Sequence, residues 1–167
     1  MHGVIFSFAT DLDEILDGDV CIPDYEDVKS YLEGVDYSYA MTKEETKGEY
    51  EHLADAYGIK NFKIYTVRDQ DYEERLIMEI PKREIVNALT KVVEKNLNVA
   101  KQIIEDKTIP LYERAYRVKR TIEPYAGIYF ASGCANVMTN YDFLETLVEY
   151  EKDSSKIYLF AATDYHV

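Results

Sequence analysis

Apolar residues recur along the chain in patterns that predict about five strands and about six helices. Short runs rich in Val, Ile, Phe and Tyr, bounded by polar or turn residues, are typical of strands. Apolar residues spaced three or four positions apart are typical of helices with one buried face. The strands are predicted at residues 3–9, 59–67, 75–80, 126–131 and 156–162.

Two long helices are predicted in the middle of the chain. The first covers residues 82–105, where apolar side chains return every three or four positions. The second begins after Pro110, which suits the first position of a helix, and ends at Pro124. Four of its residues are expected to face inward, namely Leu111, Ala115, Val118 and Ile122.

Four shorter helices are predicted from residues that can cap their first turns. Asp and Thr side chains accept hydrogen bonds from the N–H groups that a helix N-terminus leaves exposed. Thr42 is followed three residues later by Glu45, which is the spacing of a capping box. The helices are predicted to begin at Asp11, Asp24, Thr42 and Thr139, and the first three to end at Gly18, Gly34 and Gly58.

The order of these elements is β-ααα-ββ-αα-β-α-β, which predicts an α+β fold with a mixed or antiparallel sheet. A length of 167 residues suits one domain covering 1–167. It divides into an acidic strand-plus-helices part (1–58), a hairpin with long amphipathic helices (59–124) and a strand-helix-strand part (125–167).

Nearly all of the excess negative charge lies in the first third of the chain. Residues 1–58 contain fifteen Asp or Glu and three Lys, a net charge of −12, whereas the whole chain carries −13. Eight of these acids lie at predicted helix caps or first turns, where they stabilise the helix locally. The other seven lack that explanation and are the predicted partner-binding residues: Asp17, Asp19, Glu33, Asp36, Glu49, Glu51 and Asp55.

This charge distribution favours a non-enzymatic protein that binds a basic surface of a protein partner, for example a nucleic-acid-binding protein. Small, acidic, Tyr-rich chains without catalytic motifs include phage-encoded DNA mimics that inhibit host defences, and acidic immunity proteins.

Direct nucleic-acid binding is disfavoured because a net charge of −13 repels phosphates. The basic run at Arg114, Arg117, Lys119 and Arg120 is expected to face solvent or to match the acidic third. A self-associating structural or regulatory domain, including a homodimer, is an open alternative.

An enzyme is the other alternative, and the sequence offers two candidate sites. Cys134 lies in a small-residue loop before a helix, where N–H groups can lower the pKa of a thiol. Asp164 and His166 resemble half of a catalytic dyad. Cys21 and Cys134 are far apart in sequence and are expected to be reduced, which favours a cytoplasmic location.

No cofactor, metal site or membrane span is predicted. A calcium loop aligned on Gly18 would place Ile15 at a position that requires an oxygen ligand. No apolar run approaches the roughly 20 residues that a transmembrane helix needs.

Overall fold

A computed structural model describes residues 2–123, 127–134, 136–151 and 153–167. Within these residues, seven strands form one mixed sheet and six α-helices pack around it, which confirms the α+β class. The strands are β1 (His2–Ala9), β2 (Tyr37–Ala40), β3 (Lys63–Arg68), β4 (Glu74–Pro81), β5 (Ile128–Ala131), β6 (Val137–Met138) and β7 (Lys156–His166). The helices are α1 (Leu12–Leu16), α2 (Tyr25–Tyr31), α3 (Lys43–Tyr57), α4 (Lys82–Glu105), α5 (Leu111–Ile122) and α6 (Asn140–Glu145), and α6 continues into a π-helical turn at Thr146–Tyr150.

The strands nearest the two ends of the chain lie side by side at the centre of the sheet. The strand order is β3-β4-β7-β1-β5-β6, and β2 pairs with the second half of β7. β1 and β7 run antiparallel, whereas β5 is parallel to β1. Because both faces of these central strands are covered, they appear in the sequence as apolar runs without strict polar alternation.

Alternating residues of the central strands define two packed faces. Phe6 and Phe8 of β1 pack among residues of α3, α4 and α6. Ile5 and Ala9, from the same strand, lie in the clusters that hold α1 and α2. The sheet therefore separates α3, α4 and α6 on one face from α1 and α2 on the other.

The predicted helix starts are confirmed by their hydrogen bonds. The Asp11 side chain caps α1 by accepting a hydrogen bond from the Asp13 N–H. Capping boxes begin three more helices, with the pairs Asp24 and Asp27, Thr42 and Glu45, and Thr139 and Asp142. α3 ends at Gly58, whose φ of 67° is in the left-handed region that glycine adopts at low cost.

Two strands, β2 and β6, were not predicted from the sequence. They contain four and two residues, too few to show a period of two, and they form by pairing with β7 and β5. β7 also continues to His166, beyond its predicted end at residue 162. Pro124, the predicted end of a helix, and Ala126, the predicted start of a strand, lie outside the described residues.

The prediction that α5 buries an apolar stripe is wrong. None of its twelve described residues is buried, and Leu111 keeps 75% of its surface exposed. α5 packs on the second half of α4, where the Arg114 Nη1 donates a hydrogen bond to the Ile104 carbonyl at 2.7 Å. The two helices form a hairpin, and in the described part of the chain α5 packs mainly on α4, which leaves its apolar residues partly or fully exposed. None of the described helices is both long and apolar enough to cross a membrane.

Candidate acidic binding surface

The seven acids predicted to bind a partner lie on more than one surface. Asp17 and Asp19 follow α1, on one face of the sheet, whereas Glu49, Glu51 and Asp55 belong to α3 on the other face. Glu33 and Asp36 lie in the connection between α2 and β2. The sheet therefore divides the predicted set, because α1 and α3 pack on opposite sides of it.

Four of the seven acids are close to a basic side chain of the same chain. The closest oxygen–nitrogen distances are 3.8 Å for Glu33 and Arg120, 3.3 Å for Asp36 and His166, 3.7 Å for Glu49 and His52, and 3.9 Å for Glu51 and Lys47. Among the described residues, Asp17, Asp19 and Asp55 have no such neighbour within 4.0 Å. Their charges are therefore the least compensated of the set.

The end of α1 gathers acids from distant parts of the chain. Burial raises the pKa of Glu14, and the charges of Asp11, Glu151 and Asp19 raise it further. Glu151 comes from the segment after α6, and its carboxylate accepts a hydrogen bond from the Thr10 hydroxyl at 3.1 Å. The Gln70 side chain binds the Asp17 carbonyl, which brings the β3–β4 turn and Asp71 beside Gly18. We name this group the α1 acidic cluster: Asp11, Glu14, Asp17, Asp19, Asp71 and Glu151.

The predicted binding set included only two of the six residues of this cluster, Asp17 and Asp19. Asp11 and Glu14 were attributed to helix capping alone, although their carboxylates also add to the local negative charge. Asp71 and Glu151 lie outside the acidic first third, and only the tertiary fold brings them to α1. No local signal in the sequence would have identified the last two.

Cys21 and Cys134 are joined in a disulfide, so the prediction that they are reduced is wrong. Their Cα atoms are 5.1 Å apart although 113 positions separate them in sequence. The pairing results from packing of the segment after α1 against the loop after β5, where the Cys134 Sγ lies 3.8 Å from the Ile22 carbonyl. In a disulfide, Cys134 has no thiolate and cannot act as the nucleophile of the alternative enzyme site.

Asp164 and His166 do not form the dyad that the sequence suggested. Side chains two residues apart in a strand lie on the same face of the sheet, as Asp164 and His166 do. Their side chains nevertheless contact different residues. Asp164 is buried and contacts the His2 Nδ1 at 3.2 Å. His166 contacts Asp36 at 3.3 Å and stacks on the Tyr37 ring. These contacts join the ends of β1, β2 and β7.

A cleft of about 340 Å³ lies between the end of α2 and the end of α5. Tyr31 and Glu33 line its α2 side, and Lys119 and Arg120 line its α5 side. The Arg120 guanidinium also lies over the Tyr116 ring, 5.6 Å from its centroid. Glu123, at the end of α5, and Asp142 also line the cleft, so basic and acidic side chains are mixed on its α5 side.

The described residues contain no group of three His, Cys, Asp or Glu side chains arranged to hold a metal ion. No known protein family, curated protein or solved structure matches this chain.

Proposed function

We propose that the protein is a non-enzymatic binding protein whose α1 acidic cluster occupies a basic surface of a protein partner. The observation that supports this most directly is the crowding of like charges around Glu14, where three other carboxylates act on one side chain. Like charges that lack compensation cost stability in the isolated protein. A partner that brings Lys or Arg to the cluster relieves that cost on binding.

The same arrangement suits fast association. Residues 11–36 contain ten acids and one Lys, a net charge of −9, and they fold on the α1–α2 face of the sheet. A concentrated field of one sign steers a partner of opposite charge and raises the association rate. At about 0.1 M salt the field extends roughly 10 Å, so the effect weakens as salt is added.

Within this proposal, a partner contact of the immunity-protein type is favoured over imitation of a nucleic-acid strand. A strand mimic needs a row of charges at phosphate-like spacing along one surface. The predicted acids are instead divided between two faces of the sheet, and the α1 acidic cluster is compact. The partner is therefore a basic protein, and a nucleic-acid-binding protein such as a nuclease has the required charge.

Two matched variants test the proposal. The first neutralises three acids of the cluster (Asp17→Asn, Asp19→Asn, Asp71→Asn). The second neutralises three acids of α3 (Glu49→Gln, Glu51→Gln, Asp55→Asn), so it loses the same charge on the opposite face. Proteins captured from a lysate of the source organism are identified for both, and each basic candidate is purified and titrated by calorimetry.

The cluster variant is expected to bind the purified partner about tenfold more weakly, since each exposed charge contributes about 0.2–1 kcal/mol. The α3 variant should bind like the native protein, and the native affinity should fall as salt rises. An equal loss in both variants, or an affinity that salt leaves unchanged, would show that the cluster is not the binding surface.

The location of the protein is part of the same proposal. The sequence favoured a cytoplasmic location, in part because the cysteines were expected to be reduced, whereas the Cys21–Cys134 disulfide is typical of compartments where thiols are not kept reduced. We therefore place the binding function in an oxidising compartment. Cells that express the protein can be fractionated, and the oxidation state of Cys21 and Cys134 measured in each fraction. This experiment distinguishes the cytoplasm from an oxidising compartment.

A further inference from the structure

α5 is a basic helix that the fold leaves on the surface. It contains four Lys or Arg and one Glu, a net charge of +3. Tyr112 and Tyr116 keep 78% and 55% of their surface exposed. Exposed Tyr beside Arg is typical of the central part of protein–protein interfaces. α5 therefore has the composition of a contact helix.

The α2 segment has the complementary composition. Residues 24–36 contain five acids and one Lys, a net charge of −4. Tyr31, at the end of α2, is 48% exposed and lines the cleft together with Glu33. The α2 segment and α5 thus carry nearly equal and opposite net charges, and each has an exposed aromatic ring.

The two surfaces are neighbours on one molecule. The Arg120 Nη2 and a Glu33 carboxylate oxygen are 3.8 Å apart, and this contact joins the ends of α5 and α2. In a dimer with two-fold symmetry, a first surface of one molecule can contact a second surface of the other molecule, and the reverse contact then forms as well. Adjacent and complementary surfaces are what a symmetric dimer requires.

We propose that the α2–α5 cleft is a two-fold interface with a second copy of this chain, in which α5 of each copy contacts the α2 segment of the other. A partner of a single charge sign, such as a phosphate surface, would match one of these two segments and be repelled by the other. A second copy presents both signs in the inverse order. At about 0.1 M salt, charges more than roughly 10 Å from the contact are largely screened, so the charges at the contact matter more than the net −13 of each copy. This interface leaves the α1 acidic cluster for a different partner.

A charge-exchange experiment tests the interface. One variant reverses two bases of α5 (Arg117→Glu, Lys119→Glu), and the other reverses two acids of the α2 segment (Glu26→Lys, Glu33→Lys). Sedimentation equilibrium of each protein, alone and mixed in equal amounts, measures the dimer dissociation constant. The helical circular dichroism and the unfolding midpoint of each variant confirm that it is folded.

The native chain is expected to be a dimer, and each variant alone should dissociate about tenfold more readily, since both contacts then join like charges. The mixture should form dimers again, because the reversed α5 of one copy meets the reversed α2 segment of the other. A native chain that is monomeric at hundreds of micromolar would overturn the proposal. Reversed variants that dimerise like the native chain would overturn it as well.

Discussion

Gly3 and Tyr165 show how closely the two central strands pack. The residues face each other across the β1–β7 pair, and a Cβ on Gly3 would overlap the Tyr165 ring. That ring is fully buried, and its hydroxyl accepts a hydrogen bond from the Gly127 N–H at 3.0 Å. Burial raises the pKa of Tyr165 well above its usual value, so the hydroxyl remains protonated at neutral pH. Glycine at position 3 is therefore required for space, since its φ is not in the left-handed region.

Replacing this glycine is expected to destabilise the protein. Gly3→Ala should lower the free energy of unfolding by about 1–3 kcal/mol, the usual cost of overfilling a packed core. Gly48→Ala is the control, because that glycine lies within α3 with no atom close to the position of an added Cβ. It should raise the free energy by about 0.5–1 kcal/mol through the higher helix propensity of Ala. Urea unfolding of both variants measures the difference, and equal midpoints would contradict this account of Gly3.

At the scale of elements, the turn between β3 and β4 depends on one buried carboxylate. Asp69 accepts hydrogen bonds from the N–H groups of Asp71 and Glu73 and from the Arg75 guanidinium at 2.9 Å. Burial raises the pKa of Asp69, but these donors and the Arg75 charge outweigh burial and hold it below its usual value. The same turn brings Gln70 and Asp71 to α1. The hairpin and the α1 acidic cluster therefore share this support.

The contribution of Asp69 to stability is expected to depend on pH. A folded pKa below the unfolded value of about 3.9 means that ionised Asp69 stabilises the fold above that pH. The stabilisation is lost as the pH falls through the lower folded pKa. Asp69→Asn should therefore lower the urea midpoint at neutral pH, and the difference from the native protein should shrink below about pH 4. Asp55→Asn, at an exposed acid of α3, is the control and should show no such loss at neutral pH. A difference between Asp69→Asn and the native protein that stays constant with pH would contradict the assignment.

The elements that the sequence predicted correctly have strong local signals. α4 has the predicted bounds because its apolar spacing persists over many turns, and the starts of α1, α3 and α6 follow from capping side chains. β2 and β6 exist only through pairing with strands that are distant in sequence. The Cys21–Cys134 disulfide and the α1 acidic cluster depend on the same long-range packing. The two strands, the disulfide and the Asp71 and Glu151 members of the cluster have no local pattern from which they could be predicted.

At the scale of the whole molecule, the disulfide holds the acidic segment to the sheet. Cys21 follows Asp19 by two residues, and Cys134 belongs to the loop after β5. The closed loop spans most of the chain, so its closure restricts the unfolded state strongly. The α1 acidic cluster is therefore held in a fixed position before a partner binds. Less conformational entropy is then lost when the partner binds.

Reduction is expected to lower the free energy of unfolding by about 4–5 kcal/mol, the chain-entropy value for a loop of roughly 100 residues. Urea unfolding with and without reductant measures this loss. The double variant Cys21→Ser, Cys134→Ser is the control, and it should show the lower stability under both conditions. Thiol titration of the native protein should detect no reactive thiol among the two cysteines. Two reactive thiols without reductant would show that the bridge does not form.

The pairing of β1 with β7 also determines when the protein can fold during its synthesis. His2 and Asp164 touch in the folded protein although 162 residues separate them. Before β7 leaves the ribosome, β5 is the only strand of this sheet that can pair with β1. The β3–β4 hairpin cannot yet join the sheet, because β4 pairs with β7. The nascent chain therefore exposes unpaired strand edges for most of its translation, which is a state prone to aggregation. Because β7 joins β1 to the β3–β4 hairpin, the sheet can be completed only after nearly the whole chain has been synthesised.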